Sequence, residues 1–283
     1  MSAVTNGATP NEAFSAAELA TLLALATQVA EEAADLLRTR RAHGVRVSAT
    51  KSNELDIVTE ADGAAEELIR ARILSVRPDD GFLGEEGETL SGTSGVTWVV
   101  DPLDGTVNYL YGSGPYAVSI AAVSCDRESG LADPATWIAL VGVVVVCTEN
   151  ITYVASRGGG AFANGQPIAV SREEKLEFAI VTTGLSYDRL ARRDQIAVAG
   201  RVAASARDLR MSGSAAADLC LVASARVGAY YERYLGPWDF AAGALIVQEA
   251  GGSVGGVGAG APSSDLVLAS APGIVSALRA VML

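Results

Sequence analysis

The sequence predicts an α+β unit followed by a layered α/β unit, and two observations carry that reading. Residues 14–42 and 59–77 space their apolar side chains three and four apart, as helices do, ahead of β-rich runs reaching to about residue 170. From about residue 172 short strands and helices alternate, which is the rhythm of layered α/β architecture. With 283 residues, 49% of them hydrophobic, the chain holds one large domain or two closely packed ones. We expect a flexible N-terminal tail over 1–12, an α+β subdomain over 13–163 and an α/β subdomain over 164–283. No linker composition separates the halves, so they are expected to pack tightly.

Taken in order, "FSAAELATLLALATQVAEEAADLLRTRRA" is a long amphipathic helix with Glu early and Arg late, as the helix dipole prefers. "GVRVSATKS" alternates like a strand, and "TEADGAAEELIRARILSVR" is a second helix closed by Pro78. A polar Gly-rich loop, "DDGFLGEEGETLSGTSG", leads into the strand "VTWVV", which ends at Asp101. "YAVSIAAVSC", "WIALVGVVVVCT" and "ITYVASRGGGAFANGQPIAV" follow as strands, the last a hairpin-like pair. Then come "AIVTTGL", the helix "DRLARRDQIAVAGRVAASA", "DLRMSGS", the helix "AAADLCLVASA", the strand "VGAYYE", the helix "DFAAGALIVQEA", "DLVLAS" and a final helix. "GGSVGGVGAGAPSS" is a loop.

Composition narrows the function. A formal net charge of −12 disfavours nucleic acid as a partner. No apolar run is long enough to span a membrane and no basic-then-apolar leader opens the chain, so a cytoplasmic protein is expected. Cys125, Cys147 and Cys220 are odd in number and far apart, which fits buried thiols rather than a disulfide framework or a zinc cluster. His43, the single histidine, sits in a basic turn and is expected at the surface.

The informative residues are carboxylates: Asp56 after a strand, Glu85 and Glu86 in a Gly-flanked loop, Asp101 and Asp104 at a strand's end, and Asp239 beside Trp238 at the start of an apolar helix. Each has a plainer role open to it, as cap, turn residue or solvated charge. Together they fit those roles poorly. Asp101 follows "TWVV" at the carboxyl end of a buried strand, where open sheets place ligands, and like charges there call for a cation. Oxygen donors without His or Cys select Mg²⁺, Mn²⁺ or Ca²⁺, and donors spread over distant segments exclude a contiguous calcium loop. In "GTVNYLYG", Gly105 permits close backbone approach, Thr106 offers a hydroxyl, and the next turn presents N–H groups to an anion. Cations beside such donors suit phosphoryl transfer, and no GxxxxGK[ST] motif points to a nucleoside triphosphate.

"GEE", "WVVDPLDGTVNY" and "WDFAAGALIVQEAGG", with "KSNELDIVTEAD" upstream, resemble the signatures of the inositol monophosphatase family of Mg²⁺-dependent, lithium-sensitive phosphatases. The likeness runs from Lys51 to Gly252 in the family's order. It implies a layered αβαβα sandwich and a homodimer. It further implies that Glu85, Asp101 and the Leu103 carbonyl hold a first Mg²⁺, that Asp101, Asp104 and Asp239 hold a second, and that Glu85 and Glu86 complete a weaker third, with Mn²⁺ a possible substitute. Thr106 and Asp56 would orient the attacking water with Lys51 nearby; Gly105 and Thr106, beside Asp104, would face the phosphate. Gly213, Ser214, Ala215 and Glu232 match positions that contact sugar-like hydroxyls.

The implied substrate is a small phosphorylated polyol, inositol 1-phosphate foremost. "RYLGP" after Glu232 departs from the His-Cys of the animal enzymes, so histidinol phosphate, fructose 1,6-bisphosphate and 3′-phosphoadenosine 5′-phosphate stay open as substrates. Few basic residues flank the site to hold a second phosphate, which favours a monoester. A covalent aspartyl-phosphate enzyme would carry DxD where this chain has DxxD. The non-enzymatic alternative is a metal-binding regulatory or scaffold protein.

Overall fold

The computed structural model describes residues 14–50, 57–124, 134–258 and 260–283, so Lys51, Asp56 and Cys125 lie outside the described residues. Helix α1, Ala16–Ala42, starts at Ser15, whose hydroxyl accepts from Glu18 N while Glu18 reaches back to Ser15 N, a reciprocal cap that fixes the first turn. Leu22, Ala26, Val29, Ala33 and Leu37 repeat on its buried face. The small strands β1, Val47–Thr50, and β2, Ile57–Thr59, pair antiparallel and lead into α2, Glu60–Val76.

Next comes a seven-stranded sheet whose order follows the chain: β3 Gly81–Gly84, β4 Val96–Asp104, β5 Ala117–Ser124, β6 Ile138–Val146, β7 Ile151–Ser156, β8 Gly160–Ala163 and β9 Gln166–Pro167. Only the β3/β4 pair is parallel. Helix α3, Thr106–Tyr111, lies between β4 and β5. The second sheet has β10 Ile180–Thr183, β11 Asp208–Arg210, β12 Ala229–Glu232, β13 Ser253–Gly255 and β14 Val267–Ser270, ordered β11-β10-β12-β14-β13, with β10 parallel to both neighbours. Its helices are α4 Arg189–Ser205, α5 Ala215–Ala223, α6 Pro237–Glu249 and α7 Val275–Met282.

Period-2 burial dictates the layering. Along β5, Val118, Ile120 and Ala122 enter a core with α1 and α2, while Ala117, Ala121 and Val123 enter another with α5 and α6. Tyr230, Val267 and Ala269 of the second sheet join that same α5–α6 core. The opposite face of the second sheet meets Val202 of α4 and Leu278 of α7. The result is α1α2, sheet, α5α6, sheet, α4α7, the αβαβα sandwich. Gly142 on β6 lets α6 settle close: a Cβ there would lie 2.7 Å from the Ala242 carbonyl oxygen.

Three expectations change. "DDGFLGEEGETLSGTSG", read as a loop, holds β3, which pairs parallel with β4. "GGSVGGVGAGAPSS", also read as a loop, holds the short edge strand β13, which pairs with β14. The strand read as ending at Asp101 continues to Asp104, with Asp101 opposite Ser119 and Asp104 opposite Ala117. Three steps on β4 therefore match two on β5, so one extra residue bulges out. In a regular strand residues three apart point to opposite faces; the bulge returns Asp104 to the side of Asp101. His43 is exposed as expected, and Cys147 and Cys220 are buried free thiols.

Candidate active site

The carboxyl ends of β3, β4, β10 and β12 open onto one cavity of about 500 Å³. Its lining includes Glu85, Asp101, Leu103, Asp104, Gly105 and Thr106 from the first sheet's side, and Gly213, Ser214, Ala215, Glu232 and Asp239 from the second. These are the residues the sequence singled out. Glu86 is not among those lining it; its backbone N–H donates to Glu66 Oε2 at 2.8 Å.

Glu85 follows the end of β3, where its N–H bonds the Val100 carbonyl at 3.2 Å. The loop is fastened by Glu66, which also meets Arg70 at 3.3 Å, while Arg70 donates to the Glu88 carbonyl at 2.8 Å. Gly84 and Gly87 leave no room for a Cβ against the Glu66 carboxylate, which explains the glycines that flank "EE". Asp239 occupies the first turn of α6, where its Oδ2 accepts from Gly236 N at 2.8 Å. The carboxylate that caps α6 therefore also faces the cluster. Oxygens of Glu85, Asp101 and Asp239 all lie within 4.8 Å of one another.

Electrostatics make this trio costly without a cation. Burial pushes Asp101 well above the usual carboxylate range, and the charges of Glu85, Asp104 and Asp239 push it further. Burial, then Glu85 and Asp104, do the same to Asp239. Asp104 rises only to about 6, because burial is opposed by hydrogen bonds from the start of α5. Ser214 Oγ and Ala216 N donate to its Oδ2 at 2.6 and 2.7 Å, and Ala215 N reaches Oδ1 at 3.3 Å. The clustered carboxylate oxygens of Glu85, Asp101 and Asp239, with Asp104 close by, fit a hard divalent cation.

Gly105 has φ +91°, a left-handed conformation that glycine adopts without strain, and a Cβ there would crowd the carbonyls of Pro115 and Gly213 at 2.9 and 3.1 Å. Asn108 ties α3 to the 212–215 loop by donating to the Pro115 and Ser212 carbonyls at 2.7 and 2.8 Å.

The carboxylate that meets Thr106 was not singled out in the sequence. Thr106 Oγ1 lies 3.0 Å from Asp62 Oδ1 and 3.1 Å from the Leu103 carbonyl. Asp62 is buried, and its Oδ2 accepts from Thr59 N at 2.9 Å. Burial is the largest influence on its carboxyl and raises its pKa, against the pull of its hydrogen bonds from Thr59 and Thr106. "KSNELDIVTEAD" contains both Asp56 and Asp62, and the T-x-x-D spacing at Thr59 gives the second acid a local role as the partner in a helix cap.

Fold and site together describe a layered αβαβα protein whose clustered carboxylates could hold a metal ion. Comparisons with known proteins agree. A model described as the inositol monophosphatase family matches residues 18–282. An inositol-1-monophosphatase of Mycobacterium leprae is 38% identical over 92% of this chain and 93% of its own. A protein named Nus factor SuhB, from Xylella fastidiosa, is 40% identical over 76% of this chain and 74% of its own. The crystal structure of the extragenic suppressor protein suhB from Bartonella henselae superposes with a TM-score of 0.83 at 32% identity, over 93% of this chain and 98% of that one. The chain belongs to the inositol monophosphatase family, and with it to the phosphatases that hydrolyse phosphomonoesters.

Proposed function

We propose that this protein hydrolyses inositol 1-phosphate to inositol and phosphate, with Mg²⁺ as its cation. The observation that carries the reading is the meeting, on one cavity, of the Glu85–Asp101–Asp239 cluster, the Thr106–Asp62 pair and Glu232. The M. leprae relative bears the corresponding name.

Glu85, Asp101, the Leu103 carbonyl, Asp104 and Asp239 would hold the ions, with Glu86 at the edge of a weaker position. Bound divalent cations supply charge neutralisation of phosphate oxygens and lower the pKa of water. The chain's own part is to position and to move a proton. With its hydrogen directed to Asp62, Thr106 Oγ1 has lone pairs to accept a proton from the attacking water as its own hydrogen passes to the Asp62 carboxylate, whose pKa burial raises. Gly105 and Thr106 bring backbone to the phosphate, and Glu232 with the Gly213–Ala215 loop would receive the polyol. Lys51 and Asp56 flank this site in the sequence motif and complete the set we assign to it.

Mg²⁺ with Mn²⁺ as a substitute, inhibition by Li⁺, a homodimer and a cytoplasmic setting belong to the same reading. The carboxylate oxygens support a hard divalent cation, and the free thiols Cys147 and Cys220 suit a reducing compartment. No helix among the described residues is long and apolar enough to cross a membrane.

The deciding experiment is a hydrolysis screen with inositol 1-phosphate, histidinol phosphate, fructose 1,6-bisphosphate and 3′-phosphoadenosine 5′-phosphate, in Mg²⁺ and with added Li⁺. We expect inositol 1-phosphate to give the highest kcat/KM, with turnover lost on chelation; another preferred substrate overturns the substrate assignment. The X. fastidiosa relative bears the name Nus factor rather than that of a phosphatase, which leaves the metal-binding regulatory or scaffold protein as the second reading. Absence of turnover on every substrate with Mg²⁺ bound would favour it.

A further inference from the structure

Tyr230 and Glu232 are two apart on β12, so their side chains share one face of the second sheet, the face toward α5 and α6. Tyr230 is wholly buried, and its hydroxyl donates to Glu232 Oε2, a cavity-lining carboxylate, at 2.8 Å. Among the described residues no other side chain donates to that carboxylate. On its other side stands Gly184, at the end of β10, where any Cβ would overlap both Glu232 oxygens. The carboxylate is thus held between a hydroxyl and a bare backbone, and among the described residues no side-chain cation is ion-paired to it.

A carboxylate meant to read hydroxyl groups needs a fixed direction, because a hydrogen bond weakens steeply with misalignment. Glu has three rotatable bonds, and an unrestrained Glu232 would have to be ordered anew each time substrate bound. We infer that Tyr230 is a positioning residue, fixing the Glu232 carboxylate so that its free oxygen faces the hydroxyls of a bound polyol phosphate. The inference rests on the polyol reading of the site. The Tyr230 hydroxyl does not touch substrate; it acts through Glu232, while the buried ring stays part of the core between the sheets.

The test compares wild type, Tyr230→Phe, Glu232→Ala and the double variant on two substrates. One is the hydroxyl-bearing phosphomonoester that wild type hydrolyses best; the other is phenyl phosphate, whose leaving group has no hydroxyl for Glu232. Tyr230→Phe should lower kcat/KM on the polyol ester about tenfold, chiefly through KM, and leave phenyl phosphate within about twofold. In the Glu232→Ala background the same substitution should change neither substrate, since its target is gone. Equal losses on both substrates, or an undiminished loss in the Glu232→Ala background, would overturn the inference in favour of a role in packing. An unchanged KM for the polyol ester would overturn it as well. If the best hydroxyl-bearing ester is not inositol 1-phosphate, the substrate assignment falls while the comparison still decides the role of Tyr230.

Discussion

In Asp62→Asn the oxygen that accepts from Thr59 N is retained, but the amide that turns toward Thr106 donates where the carboxylate accepted. The fold at the start of α2 should survive and the proton path should not. We expect kcat to fall by about 10² to 10⁴ with little change in Mg²⁺ requirement, read from steady-state kinetics at several Mg²⁺ concentrations. A matching loss of metal affinity would instead make Asp62 a ligand. At this scale the sequence was legible where a carboxylate had no good local reason to be present. Asp101 at the end of an apolar strand and Glu85 among glycines both stood out. Asp62 was hidden because it has a complete local explanation, as the acid of a reciprocal cap in a helix's first turn. Its second partner, Thr106, lies far along the chain, and no local pattern announces a contact across the fold.

Among elements, α6 matters most, because it presents Asp239 from its first turn while its middle rests on β6 at Gly142. Gly142→Ala would place a methyl against the Ala242 backbone, which cannot move out of the way as a flexible side chain does. We expect overpacking to cost about 1–3 kcal/mol of stability. The displaced helix should also raise the Mg²⁺ concentration needed for half-maximal rate, seen by thermal unfolding together with activity titration. A stability loss with unchanged Mg²⁺ dependence would show that the tilt does not reach Asp239. The helices were readable from their periodicity: α1, α2 and α4 fall within the predicted runs. The β4 bulge was not readable, because Pro102 and Leu103 look the same in a turn as in a strand with one residue too many. That extra residue decides where Asp104 points.

For the molecule as a whole, the buried acids set how stability responds to pH. Burial raises Asp104 to about 6 and Glu232 to about 7, and raises Asp101 and Asp239 in the same direction with help from their neighbours' charges. Such carboxyls hold protons more tightly folded than unfolded. Their contribution to stability in the metal-free protein is therefore present below the ordinary carboxylate value of about 4 and is lost as pH climbs through about 6 to 7. Mg²⁺ should reverse that loss, so the rise in Tm on adding Mg²⁺ should be larger at about pH 8 than at about pH 5.5. Calorimetry with and without chelator checks the sign, and an equal rise at both pH values would contradict it.

The layer of α5 and α6 serves as the floor of one sheet and the roof of the other. Neither sheet therefore owns a finished core, and cutting the chain between them would leave one half with an open apolar face. The molecule should gain and lose structure as one cooperative unit, and the carboxylates we assign to the cation, drawn from both sides of that cut, come together only when the unit is whole. Cation affinity in this protein is then a report on the integrity of the entire chain.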